Sequence, residues 1–377
     1  MFALEPCMHF DWRAEMWLLP LSMDPVFLHT MIFTSQYYFN SVLAGRKFHS
    51  SHYLKALTAL RERMEHDGDQ DKLSFNTMAS VMGLAGQAYM MGDVKTARNH
   101  LEGLYRIVEL RGGIEIFQGN PKLLVEILRY VVWLITLPRT LGSNFVRCDL
   151  GMALYSGSHP VFLEDFASSQ PLPDLTPLRS LQEFVEMDAT IFSSVKSYEL
   201  SRMWMFMSEF CCLIDFAAES STLLTVDIFL GCITSIMYRL IKMRCRQDTV
   251  DEAVRLGILA LSSGLFLQWK NLGISYPYLA SCYKDCLTRL NSTRTPHNLM
   301  IWLLVAGAVS LWDISDEAWL AVSLQARVAL VRVDRWDTMR TLLKSFMWVD
   351  LVHDKAGQRV FDFVLTGRDS PSRGLLR

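Results

Sequence analysis

The stretch from Gly86 to Gly113, GQAYMMGDVKTARNHLEGLYRIVELRGG, spells out a helix, a reversal and a second helix, with a stop and a start signal at each junction. Gly92 can take the left-handed conformation that satisfies the last carbonyls of the first helix, and the Asp93 carboxylate can accept from the free N–H groups that open the second. In that second helix Val94, Ala97, Leu101, Leu104 and Val108 recur at alternating steps of three and four, which places them on one apolar stripe. Arg111 falls where the negative end of the helix dipole favours a cation, and Gly112-Gly113 closes the element. An antiparallel helix hairpin follows, and with it a fold built by stacking rods.

Composition points the same way. The apolar share of 51% exceeds that of ordinary soluble domains and only 20% of residues are charged, so much of this chain must be buried. A net charge of -2 gives no general attraction to phosphate, which argues against a naked nucleic-acid-binding domain. The eight cysteines lack zinc-site spacings and disulfide-scaffold density. Cys282 and Cys286 share a helix face without a nearby histidine, so free thiols in an intracellular, reducing compartment are expected. The opening MFALEPCMHFDW has no basic region ahead of an apolar run and does not read as a secretory leader. The longest uncharged apolar run, Leu299 to Trp312, falls short of the roughly 20 residues a membrane span needs and reads as a core helix.

Helical periodicity extends along the chain. Asp24 and Pro25 look like the cap and first residue of a helix reaching to about Ala44, and Tyr53, Leu57, Leu60 and Met64 mark the next. An acidic loop is expected at 65–72. The small residues Ala79, Gly83 and Gly86 would let another helix approach the first arm of the hairpin closely. A helix from Pro121 to Leu137, apolar on nearly every side in its second half, is expected to be central. Residues 156–177, with four prolines, form the one obvious irregular stretch, a surface loop or a partial boundary. Helices are then expected near 178–193, 196–218, 223–245, 249–269, 277–290, 296–312, 316–333 and, interrupted, 336–365, with Thr295-Pro296 and Ser315-Asp316 as starts. No period-two run is flanked by turn dipeptides, so little or no sheet is predicted. The fold class is all-α: a large multi-helix bundle or solenoid-like array of antiparallel hairpins. Residues 1–23 would be a partly irregular leading segment, 24–366 a single helical domain and 367–377 a mobile tail.

The chain carries no phosphate-cradling loop, zinc helix, dinucleotide fingerprint, nucleophile elbow or aspartate-rich magnesium motif. His49-x2-His52 lacks a third metal ligand. Arg61-Glu62-Arg63 and Lys242-x-Arg244-x-Arg246 fall near helix C-termini, where cations are favoured whether or not they meet phosphate or an import receptor. Arg147 and Asp149 could form a buried structural pair or face a polar ligand, and structure is favoured. The residues therefore identify no catalytic, metal-binding or DNA-binding position, leave the ligand-binding residues unknown, and imply no cofactor.

Several short motifs do resemble one family, in order along the chain. Asp24-Pro25-Val26-Phe27-Leu28-His29 comes first, followed by Leu60-Arg61-Glu62-Arg63. The hairpin adds Ala97, His100-Leu101, Gly103-Leu104 and Leu110-Arg111-Gly112-Gly113. Arg147 and Asp149 precede Pro160-x-Phe162, and Phe346-x-Trp348 closes the series. Spread over about residues 12 to 365, this set resembles the fungal-specific transcription factor domain, the helical regulatory region that in that family usually follows a zinc binuclear cluster.

The resemblance implies a nuclear regulator that controls transcription in response to a partner or small-molecule effector. It implies contact with the transcription machinery or other regulatory proteins, and neither catalysis nor membrane association. The six-cysteine cluster is missing here and Cys7 alone cannot supply it, so direct reading of a DNA site is not expected. The chain would then be a regulatory portion of a longer product or a stand-alone homologue. Two other readings are a helical-repeat interaction scaffold, suggested by Ala88-Tyr89-x2-Gly92-Asp93 but lacking a second copy near 34 residues away, and an all-helical enzyme.

Overall fold

In a computed structural model, residues 4, 7–9, 23–37, 50–66, 68–113, 147–167, 172–175, 190–220, 223–267, 275–290, 295–315 and 317–366 are described. They are overwhelmingly helical. Among them extended structure is limited to two two-residue strands, Met8–His9 and Leu224–Thr225. The expected central helix at 121–137 and the tail at 367–377 lie outside the described residues. The chain divides into two compact units, and the main crossing, at Gln170 and Pro171, falls inside the proline-rich stretch.

The first unit is built from α1 (Pro25–Tyr37), α2 (Ser51–His66), the short α3 (Asp69–Lys72), α4 (Phe75–Met90), α5 (Val94–Leu110), α6 (Arg147–Ser156) and α7 (Leu163–Ala167). The hairpin stands as its caps dictate. Gly92 has φ +81°, its N–H donates to Tyr89 O and that of Asp93 to Ala88 O, both at 2.9 Å, the paired bonds that close a helix on a left-handed residue. The Asp93 carboxylate then accepts from Thr96 N at 3.0 Å. Gly112 and Gly113 repeat the closure on α5 through Glu109 O and Val108 O.

α4 is the centre of this unit, packed by α5, α1 and α6. Small residues make that possible: a Cβ on Gly83 would lie 2.6 Å from Thr30 Cγ2 of α1. Two differences from the sequence reading appear here. The acidic stretch contains one turn of helix, α3, and a full helix, α6, begins at Arg147 where none was expected.

The second unit contains α8 (Thr190–Ser194), α9 (Tyr198–Ser220), most of α10 (Val226–Lys242), α11 (Val250–Phe266), α12 (Pro277–Arg289), α13 (His297–Ser310), α14 (Ala318–Val331), α15 (Trp336–Lys344) and α16 (Asp350–Thr366). The apolar run at 299–312 is its axis: α13 is buried on every side, against α11, α14 and α16 in particular. At its heart Trp204 and Trp302 meet edge to face with ring centroids 4.9 Å apart, and Phe346 lies 6.3 Å from each. The expected interruption of the last helix is real. Residues 346–349 leave the helix because all four are buried, and the break lets the chain insert Phe346 and Trp348 into the core.

Two starts differ by a residue or more. Pro296, not Thr295, caps α13, and the Ser315 hydroxyl donates to Asp313 Oδ1 instead of opening α14, whose cap is Glu317. At its other end α14 closes on Arg332, a non-glycine residue at φ +56°, with Arg332 N and Val333 N donating to Ala329 O and Val328 O. A side chain in that region costs about 1 kcal/mol. Arg332→Gly is accordingly expected to stabilise the protein by up to about 1 kcal/mol, read as a higher denaturant midpoint at unchanged slope.

Candidate functional site

The short motifs of the sequence fall in both units, and several of their residues, Asp24, Arg63 and Asp149 above all, join one element to another. In the first unit Asp24 caps α1, accepting from Phe27 N at 3.0 Å, and its two carboxylate oxygens also receive both Nη atoms of Arg63 at 2.9 and 3.0 Å. Arg63 Nη1 donates onward to Thr77 Oγ1 at 3.0 Å, and Thr77 donates to Asp71 O. One guanidinium thus ties together the beginnings of α1 and α4 from the end of α2. Burial alone would raise the Asp24 pKa, but the hydrogen bonds from Arg63 and Phe27 N–H outweigh it and hold the carboxyl below its ordinary range. Arg61, by contrast, makes only an exposed pair with Glu65.

Asp149 is buried and accepts from Val161 N at 2.7 Å and Phe162 N at 3.1 Å. The carboxylate organises the Pro160-x-Phe162 turn, which seats Phe162 against Tyr105 of α5 with centroids 5.4 Å apart. Its role is structural, through backbone groups twelve and thirteen residues on. The side chain of Arg147 lies outside the described residues, as does His49. His52 faces His29 instead, Nδ1 to Nδ1 at 3.1 Å, where one ring must donate and the other accept. Burial, then the neighbouring His52 and Lys55, push the His29 pKa down. Among the described residues no group of three or more His, Cys, Asp or Glu is arranged to hold a metal ion. All eight cysteines are free, and burial raises the thiols of Cys7 to about 11 and of Cys232 and Cys286 to about 12, far from the reactive thiolate range.

The second unit holds an ionic cluster that no sequence pattern announces. Asp215 comes from α9, Arg340 and Lys344 from one face of α15, and Asp350, His353 and Asp354 from the first turns of α16. Lys344 Nζ lies 2.6 Å from Asp350 Oδ2 and 3.4 Å from Asp215 Oδ2. Arg340 bridges Asp350 Oδ2 at 2.5 Å and Asp354 Oδ2 at 2.8 Å, and Trp348 Nε1 donates to Asp354 Oδ1. Asp350 N donates to Asp215 Oδ1 at 2.9 Å, so Asp215 sits at the positive end of α16. Burial, then repulsion from Asp350, raise the Asp215 carboxyl to about 7 against the opposing pull of Lys344. His353 lies deeper: its Nδ1 accepts from Val349 N at 3.0 Å, its Nε2 has no partner, and burial pushes its pKa down to about 3.

These two groups make opposite contributions to acid stability. Asp215 keeps its proton in the fold up to about pH 7 but loses it near 3.8 when unfolded, so between those values its contribution falls as pH rises. His353 stays neutral in the fold to about 3 but charges near 6.5 when unfolded, so its contribution is present above 6.5 and is lost as pH falls. Asp215→Asn removes the first and leaves the second. Relative to the unsubstituted protein it is expected to lose on the order of 1 kcal/mol for each unit the pH falls between about 6.5 and 4. Superimposed pH profiles would mean that Asp215 is already ionised in the fold.

None of this forms a reactive centre. Asp215 and His353 are buried and the other members half-buried, and the cluster pairs acids with bases; among the described residues no nucleophile is hydrogen-bonded to a base beside it. An open groove of about 470 Å³, lined by Asn298, Asp337, Thr338, Thr341, Leu342 and Ser345, offers hydroxyls and one carboxylate but no cation. No described helix is long and apolar enough to cross a membrane.

Comparison with known families decides what such an arrangement belongs to. Residues 14–243, well over half of the chain, match the fungal-specific transcription factor domain. The chain belongs to that family. No curated protein and no solved structure matches it. The matched span of this fungal-specific transcription factor domain takes in the Asp24–Arg63 joint, the hairpin and the Asp149 turn, whereas Phe346-x-Trp348 lies beyond it. Membership in a family of transcription regulators accords with buried side chains that fix helices relative to one another, and among the described residues no cleft assembles reactive groups.

Proposed function

We propose that this chain is the regulatory part of a fungal transcription regulator, acting in the nucleus by binding other regulatory proteins or a small effector and making no sequence-specific DNA contact itself. The observation that carries the reading is the family match over residues 14–243, within which Asp24, Arg63 and Asp149 serve helix joints. A near-neutral charge balance and the absence of a groove-reading motif support the second half of the statement.

Two measurements test it separately. The full chain, fused to a heterologous DNA-binding domain, should change output from a reporter carrying the matching sites several-fold in either direction; unchanged output removes the regulatory reading. The purified chain alone should give no sequence-selective gel-shift complex at about 200 mM salt. A selective complex that survives there overturns the statement about DNA.

A further inference from the structure

The helix α14 buries Leu320, Leu324 and Val328 against its own unit, and among the described residues its opposite face is exposed. That face presents Ala318, Val322, Gln325, Ala326, Ala329 and Leu330, with Val322 66% and Leu330 62% exposed. At 100° per residue these six positions, with the half-buried Trp319 among them, cover a continuous arc of about 140° on which α14 itself places no charged side chain. A helix facing water normally carries charge on its outer side, and contiguous apolar surface of this kind marks a contact site.

The arrangement along the helix points to what covers it. Val322 and Leu330 stand four residues either side of Ala326, so the large side chains are placed symmetrically about a small one. Acidic side chains, Asp313 and Glu317, precede the helix, Glu317 paired with Lys284 Nζ at 2.8 Å, while Arg327, Arg332 and Arg335 lie in its last turns and just after; Asp334 and Asp337 temper that end, as Lys284 tempers the first, without reversing either sign. A copy of the same helix lying antiparallel across this face meets complementary charge at both ends, and the dipoles oppose. We infer that α14 is the contact between two copies of this chain, paired antiparallel about a twofold axis at Ala326. Each Val322 then packs on Leu330 of the partner subunit, and the alanines let the two axes approach closely. The helix is 14 residues, about 21 Å long, which suits a compact, reversible interface.

Sedimentation of the full chain at tens of micromolar concentration provides the test. The unsubstituted protein is expected to run as a dimer that weakens as salt is raised. Val322→Glu sets a carboxylate against the partner subunit's Leu330 and should weaken dimerisation at least about tenfold, with the far-ultraviolet helical signal unchanged. Combining it with Leu330→Arg sets opposite charges across the axis twice and should restore the dimer. A monomer for the unsubstituted chain, a dimer indifferent to Val322→Glu, or a failure of the second change to rescue the first would each overturn the assignment. A face covered by another protein or by a different part of this chain gives the first or the third of these results. The inference is independent of the regulatory reading, which the reporter and gel-shift measurements address.

Discussion

Trp302→Ala is expected to destabilise the second helical unit by about 3–5 kcal/mol, the upper range for truncating a buried aromatic side chain. Three effects add at that position. The side chain is fully buried, so its removal leaves a void lined by Trp204 and Phe346. Its edge-to-face contact with Trp204 is lost, worth about 0.5–1.5 kcal/mol beyond area. Its Nε1–H donates to Met347 O at 2.8 Å, and that carbonyl, in the buried break between α15 and α16, would have no replacement donor. Trp302→Phe keeps most of the volume and loses the donor, so it should cost less, about 1–3 kcal/mol.

Amide exchange is the suitable measurement for this substitution, because a chain of two units need not unfold in a single step. Faster exchange should appear in α11, α13 and the turn at 345–349, and α4 and α5 should stay unchanged. A loss below about 1 kcal/mol in those amides would show that the cluster does not hold the unit together.

The contrast between what could be read in the sequence and what could not follows the range of the interactions involved. The hairpin was legible to the residue because its determinants are local: Gly92 N–H satisfies the carbonyl three residues back, Asp93 N–H the one five back, and the Asp93 carboxylate a donor three residues on. The burial of α13 was legible as well, since a helix without a polar face has only one place to go. Asp149 was only half legible. Its place two residues after Arg147 marks it in the sequence, but it accepts from backbone N–H groups in a later turn, which no side-chain pattern announces.

The Asp215 cluster was not legible at all. Asp215 and Asp350 are separated by 135 residues, and each taken alone is an acid on an amphipathic helix; only the packing of α9 against α16 gives Asp215 its raised pKa. The starts of α13 and α14 show the same limit at short range. Thr295 and Ser315 are good caps by type, yet the backbone entering each helix was set by packing and by the Asp313 side chain, so neither was used.

Arg63→Met is the other substitution expected to act strongly, at about 3–5 kcal/mol on the first unit. Arg63 and Asp24 expose only 11% and 10% of their side chains, and the pair is bidentate, with Thr77 as a third partner. Methionine fills much of the arginine volume, so the loss is electrostatic: the Asp24 carboxylate is left buried with only neutral donors, the Phe27 N–H and the Asn76 side chain, in place of a cation. The variant should escape part of the penalty by taking up a proton at Asp24, which ties its stability to pH. In the unsubstituted protein the depressed Asp24 pKa contributes stability above about pH 4 that is lost as pH falls through the folded value. In Arg63→Met the sign reverses, because a buried, unpaired carboxyl has a raised pKa, and stability should then increase on acidification toward pH 4. Adding Asp24→Asn removes the buried charge while keeping an acceptor for Phe27 N, and the double variant should recover at least about half of the loss. If Arg63→Met costs less than about 1 kcal/mol, or if Asp24→Asn fails to relieve it, then the motif shared along α1 and α2 holds these helices by packing through Phe27 and Phe33 and not by charge.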